Sequence, residues 1–155
     1  MKRNINLQPL SRQHHNGLLA VLLLEKGIAK NADPAVMARF IDHLFETDLN
    51  RHFLLEEMHL LPLLRQYNAL EKHASVIEAE HKQLNILKAQ LLQNPQAENI
   101  NAFAALLEKH IRFEERSVFA GAEQHIPAEK LDELGLVLQH HDDKNCMGYP
   151  DKFWE

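Results

Sequence analysis

A chain of 155 residues, 45% hydrophobic and 25% charged, is long enough for one domain with its own apolar core and too ordinary in composition to be a disordered segment. Its 22 acidic against 17 basic residues give a net charge of −5 and no broad basic face for a phosphate backbone, so nucleic acid is not an expected partner. A single cysteine, Cys146, excludes an internal disulfide and a Cys-rich zinc site, whereas eleven histidines outnumber Phe, Tyr and Trp combined (7, 2 and 1).

The N-terminal residues Met1-Lys2-Arg3 are basic, but residues 5–12 mix Asn, Gln, Pro and Ser where an export signal needs an apolar stretch. The longest apolar run, residues 18–24, is far too short to span a bilayer. The expectation is a cytoplasmic protein with no membrane partner.

Leu, Ala, Glu, Gln and Lys dominate, glycine is scarce and strand-like alternation is missing, which predicts an all-α chain. A first helix is predicted from residue 10 or 11 to 26, capped by Ser11 and stopped by Gly27. Asp33-Pro34 is a cap followed by proline at the first helical position, and it opens a second helix that runs towards Tyr67, with Pro62 kinking or ending it. A third helix is predicted over 69–93, stopping at Asn94-Pro95, and a fourth over 97–124. Pro127 opens a shorter fifth helix to about residue 141, and the tail from 142 to 155 shows no periodicity. The architecture expected is one domain over 1–155: an up-down-up-down four-helix bundle over about 10–126, then the short fifth helix and irregular tail over 127–155.

An internal repeat marks the chemistry. Leu49-Asn-Arg-His-Phe-Leu-Leu-Glu-Glu57 aligns without gaps on Leu107-Glu-Lys-His-Ile-Arg-Phe-Glu-Glu115, and His15-Asn-Gly-Leu18 aligns on His81-Lys-Gln-Leu84. Each half is thus a helical hairpin with a lone histidine on its first helix and His-x-x-x-Glu on its second. Residues four apart share a helix face, so His52 points with Glu56 and His110 with Glu114, on stripes shared with Leu49 and Leu107. His81 joins the stripe of Ala74, Ile77, Leu84 and Leu91. His14 and His15 lie about 100° apart and cannot both face inward; the repeat selects His15, because His14 aligns on Glu80.

Two buried carboxylates beside four imidazoles are costly unless cations join them. Oxygen and imidazole donors without thiolate suit iron or manganese, and zinc next. Six protein ligands for two ions leave coordination positions open for a small molecule. The predicted metal ligands are His15, His52, Glu56, His81, His110 and Glu114. Lone histidines are more often satisfied core residues and His-x-x-x-Glu pairs more often surface ion pairs, so the duplication carries the assignment. His59 is placed at best behind the ligands, His73 too far along the axis, and His43 and His125 at the surface. His140-His141-Asp142-Asp143 reads as a solvated cluster, and Glu57 and Glu115 as facing solvent or salt bridges.

At these residues the sequence resembles the hemerythrin-like family, specifically its HHE cation-binding domains, over roughly residues 10–126. The stretches that carry the resemblance are Leu10-Ser-Arg-Gln-His-His15, His52-Phe-Leu-Leu-Glu-Glu57 and His110-Ile-Arg-Phe-Glu-Glu-Arg116. The resemblance implies a non-haem di-iron centre in a four-helix bundle, two iron ions with an oxo, hydroxo or water bridge, held by the same six residues. Oxygen-carrying hemerythrins place a histidine one turn before the position of His81, where this chain has Ile77, and usually an Asp at the position of Glu114. These departures argue against an oxygen carrier while leaving the di-iron site intact, and the duplicated His/His-x-x-x-Glu set leads to the expectation of a protein that binds or senses a small ligand such as O₂, NO or peroxide. Alternatives are a di-iron oxidoreductase that reduces NO or peroxide, an iron-handling or iron–sulfur repair protein, and a regulatory module acting through the tail.

Overall fold

The computed structural model describes residues 2–139 and 149–155. Within them every regular element is helical. Helix α1 spans Gln8–Ala29, with Pro9 in its first turn. It starts before Ser11, whose hydroxyl bonds Glu115 instead of capping a helix. It also runs through Gly27, correcting the predicted stop. The chain turns at Asn31, which takes the left-handed conformation (φ 55°) that Asn tolerates better than most residues, and Ala32 N–H closes back on the Gly27 carbonyl at 2.8 Å. Gly27 serves packing: a Cβ there would lie 2.7 Å from both Met37 Sδ and the Phe153 ring.

Helix α2 opens as predicted, with Pro34 in its first turn and the Asp33 carboxylate accepting from Ala35 N–H at 2.9 Å. From Pro34–Leu44 it continues without a break through a π-helical turn at Phe45–Leu49, an α segment at Asn50–Leu55, a second π turn at Glu56–Leu60 and a last α turn at Leu61–Leu64. Pro62 lies in that last turn, and the helix ends two residues beyond it. Helix α3 is Glu71–Gln93, two residues shorter at its start than predicted, and Asn94 caps its end. Helix α4 comprises Ala97–Phe113, a π turn at Glu114–Val118 and Phe119–His125. Helix α5 is Ala128–Leu138 and gives way to a turn at Gln139; the rest of its predicted extension to 141 and residues 142–148 of the tail, with His140 to Asp143 and Cys146, lie outside the described residues.

Helix α1 packs along α4, α4 along α3, and α3 along α2. The apolar interior falls into two clusters. One gathers Ala20 to Leu24, Met37 to Phe53, Leu84 to Leu91 and Ile100 to Ile111. The other gathers Leu7, Leu10, Leu55 to Ile77, Val118 to Ile126 and α5. On each of the four long helices the boundary between these clusters falls at a buried His or a His–Glu pair. Residues 149–155 form no helix but are not loose: Tyr149, Phe153 and Trp154 ring Phe40, with centroids 5.3, 5.0 and 6.0 Å away. No helix among the described residues is long and apolar enough to cross a membrane.

Candidate metal centre

Burial along α1 follows Leu10, His14, Gly17, Val21 and Leu24, a helical stripe that carries His14 inward and leaves His15 exposed. His14 therefore takes the place expected of His15. The other five predicted ligands, His52, Glu56, His81, His110 and Glu114, are all buried at the same level. The donor atoms form two overlapping groups, His14–His52–Glu56–Glu114 and Glu56–His81–His110–Glu114, each with its ligand atoms within 4.8 Å of one another. Both carboxylates belong to both groups. His52 Nε2 and His81 Nε2 lie 3.3 and 3.2 Å from Glu56 Oε1, and His110 Nε2 and His14 Nε2 lie 2.6 and 3.6 Å from Glu114 Oε1.

Each of these two carboxylates starts a π turn. The Glu56 carbonyl accepts from Leu61 N–H and that of Glu114 from Phe119 N–H, so the repeat extends to the same irregularity at the same position. Single π turns inside α-helices often mark functional sites, because the extra residue in the turn re-aims the side chains beyond it. The third π turn, Phe45–Leu49, has no counterpart in α4. Two rings are also fixed by stacking: His81 on Phe53 at 3.9 Å and His14 on Phe119 at 5.4 Å between centroids.

All four imidazoles turn Nε2 inward and Nδ1 outward to an oxygen. His14 meets Glu115 Oε1 at 3.0 Å, His52 meets Gln13 Oε1 at 2.6 Å, His81 meets Glu57 Oε1 at 3.1 Å and His110 meets Glu80 Oε1 at 2.9 Å. A Nδ1–H donated outward leaves the Nε2 lone pair facing the centre, which is the tautomer a metal requires. These contacts also correct the repeat register: Gln13-His14 corresponds to Glu80-His81, since Gln13 and Glu80 each hold the histidine of a His-x-x-x-Glu pair. The one-residue error came from the chance match of Leu18 with Leu84. Glu57 and Glu115 bear out the expectation of solvent or salt bridges, Glu57 being half-exposed and Glu115 pairing with Arg3 at 3.4 Å, but each also meets a buried imidazole, and Glu115 accepts from Ser11 as well. Their position directly after each ligand glutamate in both repeats was the available signal.

The remaining histidines among the described residues stand apart. His43 packs on Tyr149, His73 on Phe113, His59 lines a groove against α5, and His125 is exposed. Neither His59 nor His73 reaches the cluster's ligand groups.

On protein groups alone the centre is frustrated. Burial, then the charge and hydrogen bond of Glu114, raise Glu56 to about 8. For Glu114 burial acts upward too, but the charge of His110 and hydrogen bonds from Glu56, His110 and His14 hold it well below the usual range. Burial would lower His14 and His110; the bond to and charge of Glu114, helped by Glu115 and Glu80 respectively, outweigh it and raise them to about 9 and about 10. Even so, Glu56 Oε2, both Glu114 oxygens, His14 Nε2 and His110 Nε2 are buried without a well-aligned hydrogen bond, the close approaches of His110 and His14 to Glu114 included. Native interiors tolerate few such atoms. Here they converge on one volume, and their donor chemistry, carboxylate and imidazole, fits divalent cations. A cavity of about 20 Å³ lies beside them, lined in part by Gln13, His14, Gly17, His52, His110 and Ile111. That is room for one water or a diatomic molecule.

Searches of curated proteins and of solved structures find no match to the chain. Residues 8–122 match the family model described as the Hemerythrin HHE cation binding domain, a span that includes all six buried donors and all four outer acceptors, and the chain belongs to that family.

Proposed function

We propose that the protein is a non-haem di-iron protein, built on an up-down-up-down four-helix bundle, that binds or senses a small ligand such as O₂, NO or peroxide. The observation that carries this reading is the pair of His₂Glu₂ groups sharing both carboxylates. Two divalent ions would bring four positive charges to two carboxylates and satisfy the orphaned oxygens and nitrogens together. Six protein groups do not fill two six-coordinate positions, and Ile77, fully buried on the turn before His81, supplies no further donor.

Iron bound there would supply an open coordination position and a reversible change of oxidation state. The chain does the rest. His14, His52, His81 and His110 orient Nε2 through their outer hydrogen bonds, Glu56 and Glu114 belong to both donor groups and would be shared by the two ions, and the two apolar clusters on either side exclude bulk water. The cavity against Gly17 and Ile111 limits the partner to a molecule of one or two heavy atoms, which favours a gas or peroxide over an organic substrate.

The test is anaerobic reconstitution with Fe(II), elemental analysis, and visible absorption before and after addition of O₂ or NO. Two irons per chain and a spectrum that changes with one of these gases are expected. A protein that takes up no iron, or a di-iron protein whose spectrum responds to no small ligand, refutes the reading.

A further inference from the structure

One side chain from outside the four long helices reaches two of the groups that hold His14. Resting on the reading of the buried donors as a two-metal centre, we propose that Arg3 is a positioning residue for that centre: it fixes His14 from behind, through Glu115 and Phe119, and so sets how tightly the His14 position holds its ion.

The residues before α1 are held in place by contacts of their own. Leu7 is fully buried, and Asn6 Nδ2 donates to Asp132 Oδ1 on α5 at 2.8 Å. A Cβ at Gly135 would lie 2.0 Å from Asn6 Oδ1, so this glycine is what lets α5 close on the segment. Asn4 N–H donates to Glu123 Oε2 on α4. Arg3 is thereby delivered to α4. Its Nη1 donates to Glu123 Oε1 at 2.7 Å; its Nη2 donates to the Glu115 carbonyl at 2.7 Å and lies 3.4 Å from Glu115 Oε2. The guanidinium also lies 5.5 Å from the centroid of the Phe119 ring. Glu115 Oε1 in turn meets His14 Nδ1 at 3.0 Å, and Phe119 stacks on the same imidazole at 5.4 Å. The Glu115 side chain is 26% exposed, so without the guanidinium its carboxylate is free to turn to water. The imidazole then loses a fixed acceptor, and Nε2 a fixed direction. Ser11 donates to the oxygen that His14 uses and leaves the other to Arg3. A planar guanidinium suits this place because it engages a carbonyl, two carboxylates and a ring face together; an ammonium keeps the charge but not all four contacts.

Co(II) titration of the metal-depleted full chain, in competition with a chromophoric chelator and followed by visible absorption, tests this. Arg3→Ala should weaken one of two bound ions by roughly 3–10-fold and leave the other unchanged, a smaller loss than the roughly 10–100-fold of removing a histidine's direct acceptor. Arg3→Lys should recover part of that loss, and Glu123→Gln, a change at the anchor of Arg3, should show the same selective weakening in smaller measure. His14→Ala should retain one Co(II), and adding Arg3→Ala to it should change that ion's affinity no further, because the two residues act through one ring. A general structural role would weaken both ions and would persist without His14. Far-UV circular dichroism of each metal-free variant is the folding control; should Arg3→Ala not fold, Arg3→Lys and Glu123→Gln decide by the same selectivity. Unchanged Co(II) binding, equal weakening of both ions, or an effect that persists in His14→Ala overturns the role of Arg3 while leaving a metal centre standing. A wild-type chain that binds no Co(II) overturns both readings.

Discussion

Replacing Glu56 and Glu114 separately by glutamine should have unequal consequences in metal-depleted protein, although the two residues occupy equivalent places in the repeat. At neutral pH the pair is expected to share a proton held on Glu56, which burial and the charge of Glu114 push up to about 8, whereas the 2.6 Å approach of His110 favours the charge on Glu114. Glu56→Gln exchanges a neutral acid for a neutral amide of the same shape, so its cost should stay within about 1 kcal/mol. Glu114→Gln removes the charge that faces protonated His110 and His14. Breaking a buried pair costs roughly 3–5 kcal/mol, and the low end, about 3, applies because Glu56 is left to ionise in its place. At about 2–4 °C per kcal/mol for a chain of this size, Glu114→Gln should lower Tm by about 6–12 °C and Glu56→Gln by no more than about 4 °C. Thermal unfolding followed by circular dichroism at pH 7, after exhaustive chelation, measures both. In metal-loaded protein the asymmetry should vanish, since each variant loses a bridging carboxylate and with it the stabilisation by ligand linkage, about 2.7 kcal/mol at a free metal concentration of 100 Kd. Equal destabilisation of the two metal-depleted variants, or a larger effect for Glu56→Gln, would refute the proton assignment.

Four further outcomes are expected. His14→Ala should reduce bound iron per chain while His15→Ala leaves it unchanged, as elemental analysis after reconstitution will show. Metal-depleted protein should lose stability as pH rises above neutrality: Glu56, His14 and His110 all have folded-state values above their unfolded ones, so their contribution is present at low pH and is lost as pH passes through about 8, 9 and 10, which the urea midpoint at pH 7 and pH 10 reports. Asp33→Ala should cost about 1 kcal/mol through loss of the cap on Ala35, read as a shift in urea midpoint at unchanged slope. Phe153→Ala should cost roughly 2 kcal/mol, less than the 3–5 of a fully enclosed phenylalanine because this ring is only partly buried against Phe40 and Gly27, and should leave metal stoichiometry intact.

The helices and five of the six central donors were legible because both rest on local periodicity, and Asp33-Pro34 and Asn94-Pro95 are unambiguous punctuation. What failed was register and exception. Gly27 reads as a stop, yet its missing side chain makes room for Met37 and Phe153, a demand set by a tail more than a hundred residues away. His14 and His15 are neighbours, and an alignment of four residues chose between them wrongly, whereas the stripe of Leu10, Val21 and Leu24 points to His14. The π turns have no compositional mark. The outer acceptors were hidden because glutamate next to a ligand glutamate is ordinarily solvated, and only the packing of α1 against α4 brings Glu115 to His14 and Arg3.

The division of the apolar interior into two clusters has a mechanical consequence. The ligand layer is a seam: α1 to α4 all cross it, and on each of them the apolar stripe is interrupted there by a polar group. Cations held in that layer would rivet the two halves into one cooperative unit. Without them the halves would be joined by the continuous helices and by side-chain contacts such as His81–Glu56 and His14–Glu114, and the chain would open most readily at its middle, with amide exchange fastest among the core turns at those bearing His14, His52, His81 and His110. Metal content would then control rigidity as well as chemistry, and loss of the cations would be felt at both ends of the molecule.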